Sequence, residues 1–184
     1  PILAPEYIRY TTDGTDLGSC SEGNLYSDSL SIDATTTFKA IACDQAGNQS
    51  MQISHTYTKD TTPPAPPSVT INGGDSHTNL SSVNLNLGAA DADEMYITNT
   101  AACASGGAWE SYSPIKSSWA LGQSNSTATV YVKYRDIALN ESTCESDTIT
   151  HDGSAPSVTG VNSSTADGTY GVGSVIDVQV TFNE

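Results

Sequence analysis

Short runs of alternating apolar and polar residues recur along the chain. Ser82-Val83-Asn84-Leu85-Asn86-Leu87 places Val83, Leu85 and Leu87 on one face of an extended segment. Thr129-Val130-Tyr131-Val132-Lys133-Tyr134 sends Val130, Val132 and Tyr134 to one side, and Tyr131 and Lys133 to the other. Near the end, Val175–Phe182 aligns Ile176, Val178, Val180 and Phe182. A period of two is the signature of half-buried β-strands. No window of comparable strength has the helical period. Clusters of Ser, Thr, Asn, Asp and Gly separate the runs and read as turns. The pattern predicts an all-β protein.

The pattern also repeats. Thr36–Ser50 resembles Ala128–Ser142, and both are a strand followed by Asp-x-Ala-x-Asn-x-Ser. Asp and Asn side chains hydrogen-bond nearby backbone amides, so the motif predicts a hairpin. Upstream, Glu6–Tyr10 aligns with Glu94–Thr98, and a cysteine follows each, at Cys20 and Cys103. Downstream, Ile53–Asp60 aligns with Asp147–Asp152. Thr61–Pro67 reads as a stiff, extended linker and Asp152–Pro156 as a shorter one, each followed by Ser-Val-Thr. Three segments result. Residues 61–153 hold about seven strands in ~90 residues, the size of a complete sandwich. Residues 1–60 lack the first two strands of such a unit, and residues 154–184 supply two strands and stop. Joined, the tail and the first unit make one sandwich.

The residues of the middle unit resemble the Ig-like repeats of large bacterial surface and secreted proteins. The resemblance rests on Met95–Asn99, Trp109–Tyr112, Ser118–Leu121 and Val130–Asp136. Leu139 departs from it, because that family usually has Gly there. The first unit, with Tyr10–Thr15 and Thr37–Ala40, resembles the small Ig-like module appended to bacterial chitobiases and other secreted proteins. The tail, from Thr169–Gly173 through Phe182–Glu184, is similar to the opening strands of a further bacterial Ig-like repeat. These resemblances imply tandem immunoglobulin-like β-sandwiches, cut out of phase at both termini, at an extracellular or bacterial cell-surface location. They imply little about function, since such modules serve as stalks, spacers and adhesive heads.

Charge narrows the partners. The 184 residues carry 6 basic and 21 acidic side chains, a formal net charge of −15. Such a polyanion is repelled by nucleic acid and by anionic lipid. No apolar stretch approaches the ~20 residues of a membrane span, so membrane insertion is not expected. The four cysteines fall two per repeat, Cys20 with Cys43 and Cys103 with Cys144. An even count in an extracellular-looking scaffold points to disulfides. Pairing within each unit is the simplest of three connectivities, and free buried thiols are the alternative. His55, His77 and His151 lack the spacing from cysteine that a zinc site needs.

Two clusters are candidates for chemistry. Asp91-Ala92-Asp93-Glu94 is the densest carboxylate run and the one calcium candidate, the only cofactor expected, although it lacks the alternating ligands and Gly of a calcium loop. Trp109, Tyr112 and Trp119 offer aromatic faces on which sugar rings stack, with core packing as the plainer alternative. There is no nucleophile elbow, phosphate loop or zinc-protease motif, so no catalytic residues are assigned. The expected function is a non-catalytic structural or adhesive segment of a bacterial extracellular protein. Its expected partners are neighbouring Ig-like repeats, identical subunits or a glycan or cell-surface ligand. In the fibre form of this reading, Ile176, Val178, Val180 and Phe182 of one chain complete the first unit of the next, head-to-tail; the other form is a piece of a longer repeat array with ragged ends. An ancillary carbohydrate-binding module of a secreted glycosidase is the alternative.

Overall fold

A computed structural model describes residues 7–184. Glu6, the start of the upstream repeat alignment, lies outside the described residues. The chain divides between Thr62 and Pro63 into two compact units.

In the first unit, β1 (Tyr7–Thr11), β2 (Asn24–Leu25), β3 (Thr36–Cys43) and β4 (Ile53–Tyr57) form one antiparallel sheet in the order β2-β1-β3-β4. The β-branched and aromatic residues of β1 and β3 suit a pleated surface. Ile41 and Cys43 point to one face, where Leu17 and the Cys20–Cys43 disulfide cover them. Among the described residues, this unit has no second sheet.

The second unit contains β5 (Ala65–Ile71), β6 (His77–Thr78), β7 (Ser82–Ala90), β8 (Glu94–Thr98), β9 (Trp109–Ser111), β10 (Ile115–Ala120), β11 (Ser126–Arg135) and β12 (Glu145–His151). They make an Ig-like sandwich of two sheets, β10-β7-β5 and β6-β12-β11-β8-β9. Ile71, Val83, Leu85 and Leu87 from the first sheet meet Met95, Ile97, Val130, Val132, Tyr134 and Ile149 from the second in one buried core. The faces expected from alternation on β7 and β11 are those found. Across the core, the Tyr134 hydroxyl donates to the Ser68 carbonyl and accepts the Gly88 N–H, tying the sheets together. Burial pushes this hydroxyl's pKa up, because ionising it would strand a charge in the core. The Cys103–Cys144 disulfide closes this unit, so both bridges lie within their repeats.

One boundary differs from expectation. Ala65, Pro66 and Pro67 belong to β5 rather than to a linker. β5 is an edge strand with a register shift between Ala65 and Ser68, so prolines without an N–H fit there.

Residues 158–182 form a separate antiparallel pair, β13 (Val158–Ser163) with β14 (Val178–Phe182). The strand expected over Val175–Phe182 starts only at Val178, leaving Ile176 just before it. Local hydrogen bonds explain the late start. The Asp177 N–H donates to Thr165 Oγ1, and the Asp177 carbonyl accepts from Ser163 Oγ, so backbone that would extend the ladder is already engaged.

The repeated Asp-x-Ala-x-Asn-x-Ser motif forms the same turn twice. Asp44 accepts the Asn48 backbone and side-chain N–H groups, each at 2.8 Å. Asp136 does the same with Asn140, at 2.9 and 2.8 Å. The Ser50 and Ser142 hydroxyls accept the Ala42 and Tyr134 N–H groups. Hydrogen bonds from the Asn48 side chain hold the Asp44 carboxyl below its ordinary pKa. Burial pushes Asp136 up, but its bonds from Asn140 and the turn backbone outweigh this and leave it lowered. The position before the Asn needs a left-handed backbone: Gly47 has φ +85° and Leu139 φ +68°. The structure thus gives the Gly-to-Leu departure at 139 a physical meaning.

Candidate interaction surface

The turn motif fixes which residues of the two units are equivalent. With Asp44 opposite Asp136, Ala42 corresponds to Tyr134, Ala40 to Val132, Phe38 to Val130 and Thr36 to Ala128. Strand pairing extends the equivalence to neighbours. Ala42 pairs with Ile8 and Ala40 with Tyr10, as Tyr134 pairs with Met95 and Val132 with Ile97. Ile8 and Tyr10 therefore stand where Met95 and Ile97 stand. The upstream alignment read from sequence, Glu6 with Glu94, is one residue out of register. A slip of one residue exchanges the two faces of a strand, so this correction decides which side chains match the sandwich core. On β4, Tyr57 pairs with Thr36 as Ile149 pairs with Ala128.

The corrected register shows that one face of the first unit repeats the core-facing side of the second unit's larger sheet, but stands open. Tyr57 is 53% exposed where its counterpart Ile149 is 1%. Phe38, Ala40 and Ile53 form the floor of a groove of about 410 Å³, walled by Tyr26, Leu30 and Ile32. Phe38 and Tyr57 pack edge-to-face at 5.6 Å between ring centroids, and Tyr10 and Tyr26 at 6.3 Å. The opposite face, with Ile41 and Cys43, is the buried one.

The β13–β14 pair has the converse property. Its pairs Val161–Val180 and Val158–Phe182 reproduce Ile71–Leu85 and Val69–Leu87 of β5–β7, with one extra residue at the β13 register shift. Yet Val161, Val178, Val180 and Phe182 are all exposed, Phe182 by 56% against 6% for Leu87.

The other candidate residues are differently placed. Glu94 is ion-paired with Arg135, and the Asp93 backbone bonds Arg135 and Tyr112. Among the described residues, Asp91, Asp93 and Glu94 do not gather closely enough to share an ion. Trp109, Tyr112 and Trp119 do not form one stacking platform, because β9 and β10 belong to opposite sheets. Trp109 lies under the Arg135 guanidinium, 4.3 Å from its ring centroid. Tyr112 packs against Tyr134, 5.9 Å between centroids, and donates to the Leu87 carbonyl. Trp119 packs on the core while its indole N–H donates to Asn99 at 3.0 Å. His151 is buried and accepts the Asn125 N–H.

Sequence reading expected the first unit to be incomplete but did not name Ile8, Tyr10, Tyr26, Phe38 and Tyr57 as the residues of its open face. One signal for it was present. After Lys39, β3 runs Ala40-Ile41-Ala42-Cys43 without a polar face, which marks a strand meant to be covered on both sides.

Comparison with known proteins bears on the same unit. Residues 3–56 match the family model of the chitobiase/beta-hexosaminidase C-terminal domain. The match takes in the first unit, in agreement with the resemblance of Tyr10–Thr15 and Thr37–Ala40, and stops before the second. No curated protein matches the chain. Among the described residues, no helix is long and apolar enough to cross a membrane.

Proposed function

We propose that this chain is a non-catalytic structural or adhesive segment of an extracellular protein at a bacterial cell surface, built from Ig-like units in series. The observation that carries this reading is the use made of its buried polar groups. Thr98, Asp136 and His151 are each engaged in local hydrogen bonds: Thr98 Oγ1 donates to Ser105, Asp136 accepts from Asn140, and His151 accepts from Asn125. Reactive centres keep such groups poised toward a cleft instead. A disulfide in each unit adds chain constraint suited to an oxidising compartment. The test is a saccharide array, including chitooligosaccharides, read alongside protease resistance before and after reduction. The reading expects a flat array and a resistant chain that becomes labile with reductant. A chain that stays resistant after reduction would contradict it, whereas saturable sugar binding would favour the second reading below.

The second reading is an ancillary carbohydrate-binding module. The family match over residues 3–56 and the exposed aromatic rings of Tyr26 and Tyr57 favour it. It expects array binding that is lost in Tyr57→Ala.

A further inference from the structure

The turn that ends β5 carries a reactive pair of residues inside the second unit. Ile71 closes the strand opposite Leu85, and Asn72, Gly73 and Gly74 follow with φ of +46°, +71° and +101°. Asn tolerates this left-handed backbone and Gly adopts it without strain. Asn-Gly occurs once in the 184 residues. It is also the pair in which a backbone nitrogen reaches the preceding side-chain carbonyl with least obstruction.

The surroundings leave the reacting atoms free. Gly73 is exposed, and a Cβ built there meets no atom within 4 Å. Among the described residues, neither the Gly73 N–H nor Asn72 Nδ2 donates a hydrogen bond. Asn72 Oδ1 accepts the Asn84 N–H at 2.9 Å, which polarises the carboxamide carbon. Asn72 lines an open hollow of about 500 Å³ with Asp75, His77 and Asp152, so water reaches the group. Other asparagines lack these features. Asn48 and Asn140 donate through Nδ2 to Asp44 and Asp136, and Asn99 donates to the Ala120 carbonyl. None of the three precedes Gly. The pairs Asp13-Gly14, Asp152-Gly153 and Asp167-Gly168 offer a carboxylate, a poorer electrophile than a carboxamide.

We propose that Asn72-Gly73 is a site of self-modification, at which Asn72 converts to aspartyl and isoaspartyl forms. The Gly73 nitrogen gives up its proton to solvent base and attacks Asn72 Cγ. The new N–Cγ bond forms, the Cγ–Nδ2 bond breaks, and Nδ2 leaves as ammonia with a proton from water. The resulting five-membered imide then takes up one water. Opening at Cγ restores the ordinary backbone with an aspartate side chain. Opening at the Asn72 main-chain carbonyl routes the backbone through Cβ and Cγ as isoaspartate. Water is the one co-reactant.

The two products differ in what they do to the sheet. Asn72 is tied to Asn84 twice, its N–H donating to the Asn84 carbonyl at 2.8 Å and its Oδ1 accepting the Asn84 N–H. Asn84 Oδ1 in turn accepts the Ser118 N–H at 3.3 Å, where β10 shifts register and Ser118 holds φ +56°. An aspartate keeps both ties to Asn84. An isoaspartate inserts a backbone atom and leaves its carboxylate directly on Cα, so the two ties cannot both survive. The end of the β10-β7-β5 sheet is thereby loosened next to Ile71, a fully buried core residue. This chemistry is independent of the functional reading above.

The test incubates the full chain at neutral and mildly alkaline pH and maps its peptides by mass spectrometry. Ammonia release and enzymatic methylation of isoaspartate are the second readouts. Asn72 should convert before any other Asn and before the Asp-Gly pairs, and faster at the higher pH. Gly73→Ala should slow conversion at least about tenfold, because its Cβ crowds the attacking nitrogen while meeting no other atom. Asn72→Gln, whose longer side chain must close a six-membered ring, repeats the comparison should the first variant fail to fold. The isoaspartyl chain should melt below the parent, and Asn72→Asp, with its ordinary backbone, close to it. Asn72 remaining intact while other asparagines convert overturns the proposal, as does an unchanged rate in Gly73→Ala. An isoaspartyl chain as stable as the parent overturns the role given to the Asn72–Asn84 ties.

Discussion

The β5–β7 pair and the β13–β14 pair carry nearly the same alternation, Val-x-Leu-x-Leu against Val-x-Val-x-Phe, in matching registers. In the first, these side chains are 0–6% exposed, and in the second 45–60%. The first unit and the face of the β8-β11-β12 sheet make a second such contrast. Pattern therefore specifies which face of a strand is to be covered. It does not specify what covers it, because that depends on a non-local partner.

The contrast predicts unequal costs for equivalent substitutions. Leu85→Ala removes a side chain from a closed core and should destabilise the second unit by roughly 2–5 kcal/mol in denaturant titration. The equivalent Val180→Ala should leave the stability of the dilute monomer within about 0.5 kcal/mol, as surface changes do. Similar losses at both sites would show that the hairpin already packs against something in the monomer.

Disulfide loss should sharpen the difference between the units. Each bridge contributes about 2–4 kcal/mol. Beyond Cys43 itself, the first unit's buried apolar cluster contains only Leu17 and Ile41 among the described residues, whereas the second unit's contains eleven residues. Cys20→Ser with Cys43→Ser should therefore unfold the first unit while the second, followed by tryptophan fluorescence, melts as before. A first unit that remains folded without its bridge would mean the open sheet is sturdier than its burial implies.

The paired turns provide a smaller and reciprocal test. Leu139 holds φ +68° with its side chain 61% exposed, so Leu139→Gly should stabilise the second unit by about 1 kcal/mol. Gly47 holds φ +85°, and a Cβ added there would meet no atom within 4 Å. Gly47→Ala should therefore destabilise the first unit by about 1 kcal/mol through backbone strain alone. Both substitutions rank glycine above a side chain at this position. A Leu139→Gly variant that loses stability beside a Gly47→Ala variant that also loses it would contradict the equivalence of the turns.

The smallest effect concerns pH. Asp44 and Asp136 have carboxyl pKa values lowered by folding. A lowered carboxylate contributes stability that is full above the unfolded value of about 3.9 and is lost as pH falls through the folded value. Melting temperature should thus drop on acidification below about pH 4, and less so in Asp44→Asn with Asp136→Asn. An identical profile in the double variant would remove these turns from the acid response.

Much of this architecture was legible in local residues. Alternation at Val83–Leu87 and Val130–Tyr134 located two core strands, and the Asp-x-Ala-x-Asn-x-Ser repeat located both turns. The pairing of Cys20 with Cys43 and of Cys103 with Cys144 was the simplest of the three connectivities the repeat allowed, and it is the one found. What could not be read was non-local. The one-residue register of β1 depends on its pairing with β3, and only that pairing puts Ile8 and Tyr10 on the open face. Trp109 and Trp119 are ten residues apart in sequence, but the sheet to which each belongs separates them. Of the carboxylates at 91–94, Asp91 and Asp93 lie in the turn between β7 and β8, while Glu94 opens β8 and is claimed by Arg135.

The most direct test is hydrogen exchange on the unmodified chain at low and high protein concentration, with salt held constant because a chain of net charge −15 repels itself. If cover rather than pattern sets local stability, amides of β7 and β11 should be strongly protected and those of β13 and β14 weakly protected at both concentrations. Equal protection in the two pairs would contradict the claim that the same alternation is covered in one and open in the other.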